Sequence, residues 1–93
     1  MKHYGIIGNP LGHSYSEGYF TDKFLREDIA ACYTPYPLVA IEQVTTLLEE
    51  LNGFNVTYPF KEDILPYLNA IDPVASAIGA VNVVSHGKGY NTD

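Results

Sequence analysis

Short apolar runs and helical stripes alternate along this chain. Tyr4 to Ile7 is an apolar run stopped by Gly8-Asn9-Pro10, which predicts a first strand and its loop. Ser16 stands where it can cap a helix carrying Phe20, Phe24 and Leu25 on one side and Asp22, Lys23 and Arg26 on the others. Cys32 to Tyr36 predicts a second strand. Ile41, Val44, Leu47, Leu48 and Leu51 recur at helical spacing, with Gly53 just past the end as a stop signal. Phe54 to Thr57 predicts a third strand. Pro59 fits the first turn of another helix, whose inward face is Ile64, Leu65 and Leu68. Asp72-Pro73 predicts a short helix, with the carboxylate as cap and the proline at the first helical position, ending at Gly79. Val81 to Ser85 and Lys88 to Thr92, joined through His86-Gly87, predict a closing hairpin.

Strands separated by helices require crossover connections. The expected fold is therefore a single α/β domain over residues 1–93, three-layered, with a mainly parallel mixed sheet and helices on both faces. The hairpin adds an antiparallel strand. Open sheets of this kind bind ligands outside the carboxyl ends of their strands, so function is to be sought there.

Composition narrows the partners. Five basic residues against eleven acidic ones leave a formal charge of −6. With no Lys/Arg cluster, a nucleic-acid backbone is repelled and a membrane surface is not favoured. A hydrophobic share of 46% and a charged share of 17% describe a globular chain rather than a disordered one. Cys32 is the single cysteine. It excludes an intrachain disulfide, fits a reducing compartment, and in its apolar setting is expected to pack inertly in the core. The N-terminus runs directly into a strand with neither a signal-peptide core nor a spanning segment, so a cytoplasmic location is expected.

The candidate chemistry lies at the predicted strand ends. The loop G-N-P-L-G-H-S (residues 8–14) is a poor phosphate loop: three residues lie between its glycines, not four, and His13 stands where the lysine belongs. The G-x-G-x-x-G dinucleotide fingerprint is absent as well. Ser14 and Ser16 remain, hydroxyls at a helix start that suit a carboxylate or phosphate, with plain helix capping by Ser16 as the alternative. Three asparagines, Asn55, Asn82 and Asn91, stand at strand ends although asparagine is disfavoured in strands. Converging, they would read the hydroxyls of a small polar ligand; otherwise each caps its own loop. Lys61 falls in the first turn of the helix expected after Pro59, facing the positive end of its dipole. An anionic partner opposite would make sense of that placement, and a solvated surface lysine is the other reading.

Four sequence blocks in order resemble the shikimate dehydrogenase family: I-I-G-N-P-L-G-H-S-Y-S, G-F-N-V-T-Y-P-F-K, A-I-G-A-V-N and G-Y-N-T-D. The resemblance implies reduction of 3-dehydroshikimate to shikimate with NADPH. It implies that Ser14 and Ser16 hold the substrate carboxylate, that Thr57, Asn82 and Asp93 contact ring hydroxyls, and that Lys61 and Asp93 form the catalytic pair. No cofactor-binding residue and no metal ligand is expected in this chain; NADP would sit on a Rossmann-type domain following the N-T-D block, which this chain lacks. The chain alone is accordingly expected to be inactive.

The departures from the family pattern are Glu17, Phe20 and Thr21 after the serine loop, and Val83 where threonine is usual. None removes a principal ligand group. Quinate is a second candidate substrate, and a homo-oligomer is compatible with the pattern. A different class of reading is a standalone module that binds a small molecule or a partner without redox chemistry. Such a module would have no need of Lys61 and Asp93.

Overall fold

Strands β1 (Lys2–Gly8) and β2 (Ala31–Pro37) form at the first two apolar runs, joined by helix α1 (Tyr15–Arg26). The structure, a computed structural model, describes residues 1–11 and 15–92. A β–α–β crossover pairs its strands in parallel, and Lys2 lies opposite Ala31 through to Gly8 opposite Pro37. Phe20 and Phe24, one turn apart, meet the sheet: Phe20 stacks on Tyr33 at 4.9 Å between centroids, and Phe24 meets Tyr4 at 5.9 Å. Such ring pairs add about 0.5–1.5 kcal/mol beyond the area they bury. Leu25, expected beside them, is instead 78% exposed. One residue on from Phe24 is a rotation of about 100°, which carries it off the stripe.

The stripe from Ile41 to Leu51 becomes a 3-10 turn (Ile41–Gln43) running into α2 (Val44–Glu50). Gln43 Oε1 accepts the Val39 and Ala40 N–H groups at 2.7 and 3.1 Å, reaching back over the start of the turn as the glutamine of a capping box does. Val44, Leu47 and Leu51 are buried, as their spacing predicts. Gly53 is not a helix stop. Leu51 already ends the helix in an extended conformation, and Gly53 opens β3 (Gly53–Val56).

The largest departure lies between Thr57 and Leu68. Instead of a helix there are tight turns and a 3-10 turn (Leu65–Tyr67). Phe60, Leu65, Tyr67 and Leu68 each donate to the carbonyl three residues back, and Ile64 alone reaches four back to Phe60. Pro66 has no N–H to extend the longer pattern. The expected inward residues survive the change: Ile64 is buried and Leu65 and Leu68 pack against the core, and Phe60, not expected among them, is buried as well.

A two-residue strand, β4 (Ala70–Ile71), is too short to show as a pattern. Helix α3 (Pro73–Ile78) follows as expected, with the Asp72 carboxylate accepting the Val74 N–H at 3.0 Å and Gly79 ending it. The hairpin is shorter than its apolar run, β5 (Val83–Ser85) and β6 (Lys88–Tyr90). His86 and Gly87 both take positive φ, 50° and 78°, as a two-residue type I′ turn needs.

The six strands run in the order β2-β1-β3-β5-β6-β4. Only β5 runs against the rest, so the sheet is mixed and mainly parallel. One face, with Ile7, Phe54, Val56 and Val84, closes against Val44 and Leu47 of α2, Ala75 of α3, Phe60 and Ile64. The opposite face carries α1 over β1 and β2.

Candidate functional site at the carboxyl edge of the sheet

The carboxyl ends of β1, β3 and β6, and the residues entering β5, share one edge. Thr57 follows β3, and its N–H donates to the Ile7 carbonyl at 3.0 Å, prolonging the pairing with β1. Gly8 stands beside it. A Cβ at Gly8 would collide with Thr57 Cγ2 and approach Leu11 Cδ2 to 2.9 Å, so glycine lets the threonine pack onto the end of β1. The two loops are stitched together, with the Asn9 N–H donating to the Tyr58 carbonyl at 3.1 Å and Asn9 Nδ2 to the Leu38 carbonyl at 3.0 Å. The Asn9–Pro10 and Tyr58–Pro59 peptide bonds are both cis.

Thr57 and Lys61, each half-buried, line a groove of about 490 Å³ together with Tyr58, Pro59, Glu62 and Asp63. Lys61 is the cation of that lining, set among two exposed carboxylates. No helix begins at Pro59, so the expected conflict with a helix dipole does not arise. What fixes the lysine's backbone is its carbonyl, which accepts the Val81 N–H at 2.8 Å. That bond places the segment beside Asn82. The Asn82 carbonyl accepts the Val56 N–H at 2.8 Å, and its N–H donates to Tyr90 at 2.9 Å.

The three asparagines do not form one cluster. Asn55 lies on the α1 face of the sheet, where its Oδ1 accepts the Tyr33 hydroxyl at 2.7 Å. Asn91 donates to the Ala80 carbonyl at 3.3 Å, the loop-bracing role that was the alternative. Asn82 instead pairs with Thr92, which lies in the N-T-D block. Thr92 itself carries no signal of its own beyond its place in that block.

Among the other expected site residues, Ser14 and Asp93 lie outside the described residues. Ser16 lies within the first turn of α1 rather than at its cap, because the helix already includes Tyr15. By topology that turn sits at the same edge, since β1 runs into α1 there. Cys32 is not a core residue: it is half-exposed, with Sγ 2.9 Å from His3 Nδ1.

A larger groove, about 530 Å³, opens on the α1 face between Tyr4, Phe20, Phe24, Tyr33, Asn55 and Val83. It is mostly aromatic and aliphatic, and apart from Asn55, which is bonded to Tyr33, it holds none of the candidate site residues, so size does not mark the site here. Among the described residues no three of His, Cys, Asp and Glu gather as metal ligands, and no helix is long and apolar enough to cross a membrane. Among the described residues of the β1–α1 connection, nothing matches a dinucleotide loop. The connection lacks the glycine pattern, and its Asn9 N–H is already bonded to Tyr58.

Residues 6–84 match the family described as shikimate dehydrogenase substrate binding domain. A shikimate dehydrogenase (NADP(+)) of Bacillus cereus is 46% identical over 99 aligned positions, covering 97% of this chain and 35% of that protein. The crystal structure of shikimate dehydrogenase from Thermotoga maritima superposes with a TM-score of 0.91 at 35% identity, over 97% of this chain and 36% of that one. Shikimate 5-dehydrogenase from Thermus thermophilus, solved in complex with NADP(H) and shikimate, gives a TM-score of 0.87 at 29% identity, over 99% of this chain and 38% of that one. The chain spans about 35% of the length of the curated relatives it matches. With the substrate-domain match running through most of its length and the same fold in solved members, this chain belongs to the shikimate dehydrogenase substrate binding domain family.

Proposed function

We propose that this chain is the substrate-binding domain of an enzyme that reduces 3-dehydroshikimate to shikimate with NADPH. The observation that carries the reading is the meeting of Thr57, Lys61 and the Asn82–Thr92 pair at one edge of the sheet, in a chain 46% identical to a shikimate dehydrogenase. Hydroxyl, ammonium and amide groups at that edge suit a small polyhydroxylated acid. Ser14 and Ser16, near the start of α1, take its carboxylate, while Thr57, Asn82 and Asp93 take ring hydroxyls. NADPH supplies the hydride when bound, and its seat belongs to a separate dinucleotide-binding domain, because the residues described here do not fit it.

Reduction of a ketone leaves alkoxide character on its oxygen. Lys61 Nζ, as an ammonium, stabilises that charge and donates the proton; in the reverse direction it accepts one. Asp93 orients and supports Lys61. The backbone supports the pairing: Thr92 is bonded to Asn82, and Val81, next to Asn82, donates to the Lys61 carbonyl. A cytoplasmic location is part of the same reading, supported by the single cysteine.

The test is a titration of the 15N-labelled chain with millimolar shikimate. Shifts confined to residues 57–61, 82 and 91–92 and the α1 start are expected. Shifts centred on the opposite end of the sheet, around Thr45, Asn69 and His86, would place the site elsewhere. The purified chain with NADPH and 3-dehydroshikimate should show no turnover above background. Turnover by the chain itself would overturn the assignment of the cofactor to another domain.

A further inference from the structure

Both backbone polar groups of Asn82 are engaged in the sheet, so only its amide side chain is left for a ligand. The orientation of that amide is decided by its neighbour. The Thr92 backbone N–H, which can only donate, lies 3.1 Å from one amide atom, so that atom is the oxygen Oδ1. Asn82 Nδ2 in turn lies 3.2 Å from Thr92 Oγ1, which accepts one of its hydrogens. The hydroxyl is also 3.4 Å from Oδ1, a longer and weaker approach. A flipped amide would set its NH₂ against the Thr92 N–H and lose that bond, whereas the hydroxyl, which can donate as well as accept, would bond to either amide atom. The backbone N–H therefore sets the orientation, and the hydroxyl then holds Nδ2.

We infer that Thr92 is a positioning residue that locks the Asn82 amide so that its remaining Nδ2 hydrogen is offered to the ligand. The inference rests on the substrate site proposed above and adds a polarity to it. Asn82 then reads a hydrogen-bond acceptor. A carbonyl oxygen and a hydroxyl both qualify, so the position serves ketone and alcohol alike. A protonated amine at the same ligand position, which has no lone pair, is rejected.

Three variants test this, read in two ways. Thr92→Val keeps the shape and the backbone N–H but removes the hydroxyl; Thr92→Ser restores it; Asn82→Ala removes the group being positioned. Without ligand, the Asn82 side-chain NH₂ signals of the labelled chain should exchange faster with water in Thr92→Val and recover in Thr92→Ser. Unchanged exchange in Thr92→Val would overturn the inference, whatever the ligand does.

With ligand, the shikimate dissociation constant of the longer enzyme carrying this domain should rise about 2- to 12-fold in Thr92→Val, the range of one neutral hydrogen bond. It should recover in Thr92→Ser. In an Asn82→Ala background, Thr92→Val should have no further effect, because Thr92 acts through Asn82. If Asn82→Ala weakens binding but Thr92→Val adds fully to it, the positioning role is wrong and the substrate site stands. If Asn82→Ala leaves affinity unchanged, Thr92 has nothing to position and the placement of substrate at Asn82 fails with it. Thermal melts of each variant separate these outcomes from loss of fold.

Discussion

The core-facing side of the sheet and its carboxyl edge are built from the same strands, yet they obey opposite rules. On the core side, Ile7, Phe54, Val56 and Val84 close against Val44, Leu47, Phe60 and Ile64, and none of the buried residues described is polar. At the edge, Thr57, Lys61 and Asn82 are all half-buried, and each brings a polar group into partial contact with water. The segment from Thr57 to Ile64 belongs to both regions. Phe60 and Ile64 turn inward while Thr57 and Lys61 line the groove. Tight turns permit this division because they change direction every few residues. The lesson is that loss of function and loss of stability should separate residue by residue within one short stretch.

The largest separation is expected at Lys61, tested in the longer enzyme. Lys61→Met keeps much of the stem and removes the charge. A group that protonates or stabilises the developing alkoxide acts mainly in the transition state, so kcat should fall by about 10²–10⁴-fold, the span of general acid–base roles. KM should rise far less. A raised KM with kcat nearly intact would make Lys61 a binding residue only. Far-UV CD and a melt must show the variant folded, and a folded variant with normal kcat would remove Lys61 from the chemistry.

Ile64→Ala should do the reverse. The side chain is fully buried, and its truncation should cost about 2–5 kcal/mol from lost transfer energy and the cavity left behind. In a chain of this size that is a large part of the total stability. Denaturant unfolding of the chain would measure it. For the fraction still folded, ligand-induced shifts at Asn82 should persist. A stable Ile64→Ala variant with altered binding would break the division between core and edge.

The core was far more legible in the sequence than the edge, and the reasons are physical. Burial repeats: Ile41, Val44, Leu47, Leu48 and Leu51 announce a helix face through period alone, and Asp72-Pro73 announces its own cap. Ile64 turns inward as its apolar position predicts although no helix forms around it, because burial survives a change of local geometry. Turns hide what periodicity cannot carry, so the helix expected after Pro59 dissolved into bonds to the third residue back. β4, two residues long, gave no pattern at all. At the edge, residue type offered candidates but not partners. Asn55, Asn82 and Asn91 look alike in the sequence, yet they bond to a tyrosine hydroxyl, a threonine and a backbone carbonyl. Lys61 and Asn82 stand out by residue type and place, Thr57 becomes a candidate only through the family motifs, and Thr92 becomes visible only through its distance to Asn82.

The smallest effects should be the most discriminating, and Thr57 is where to find them, since it serves both regions with different atoms. Its Cγ2 packs on the end of β1, where Gly8 leaves the room, and its residue lines the groove with Lys61. Thr57→Val keeps the methyl and loses the hydroxyl. Shikimate affinity should fall by about 0.5–1.5 kcal/mol, the worth of one neutral hydrogen bond. Stability should stay within about 0.5 kcal/mol, as at most sites where no buried partner is stranded. Thr57→Ser keeps the hydroxyl and loses the methyl. Its stability should fall by roughly 0.8 kcal/mol, the value of one buried methylene-sized group, with affinity held. Affinity by titration and stability by urea unfolding give four numbers, and their crossed pattern is the prediction. If Val costs stability and Ser costs affinity, the atoms have been assigned the wrong way round. If both variants lose both properties together, Thr57 acts only by holding the loop, and its contact with substrate is withdrawn.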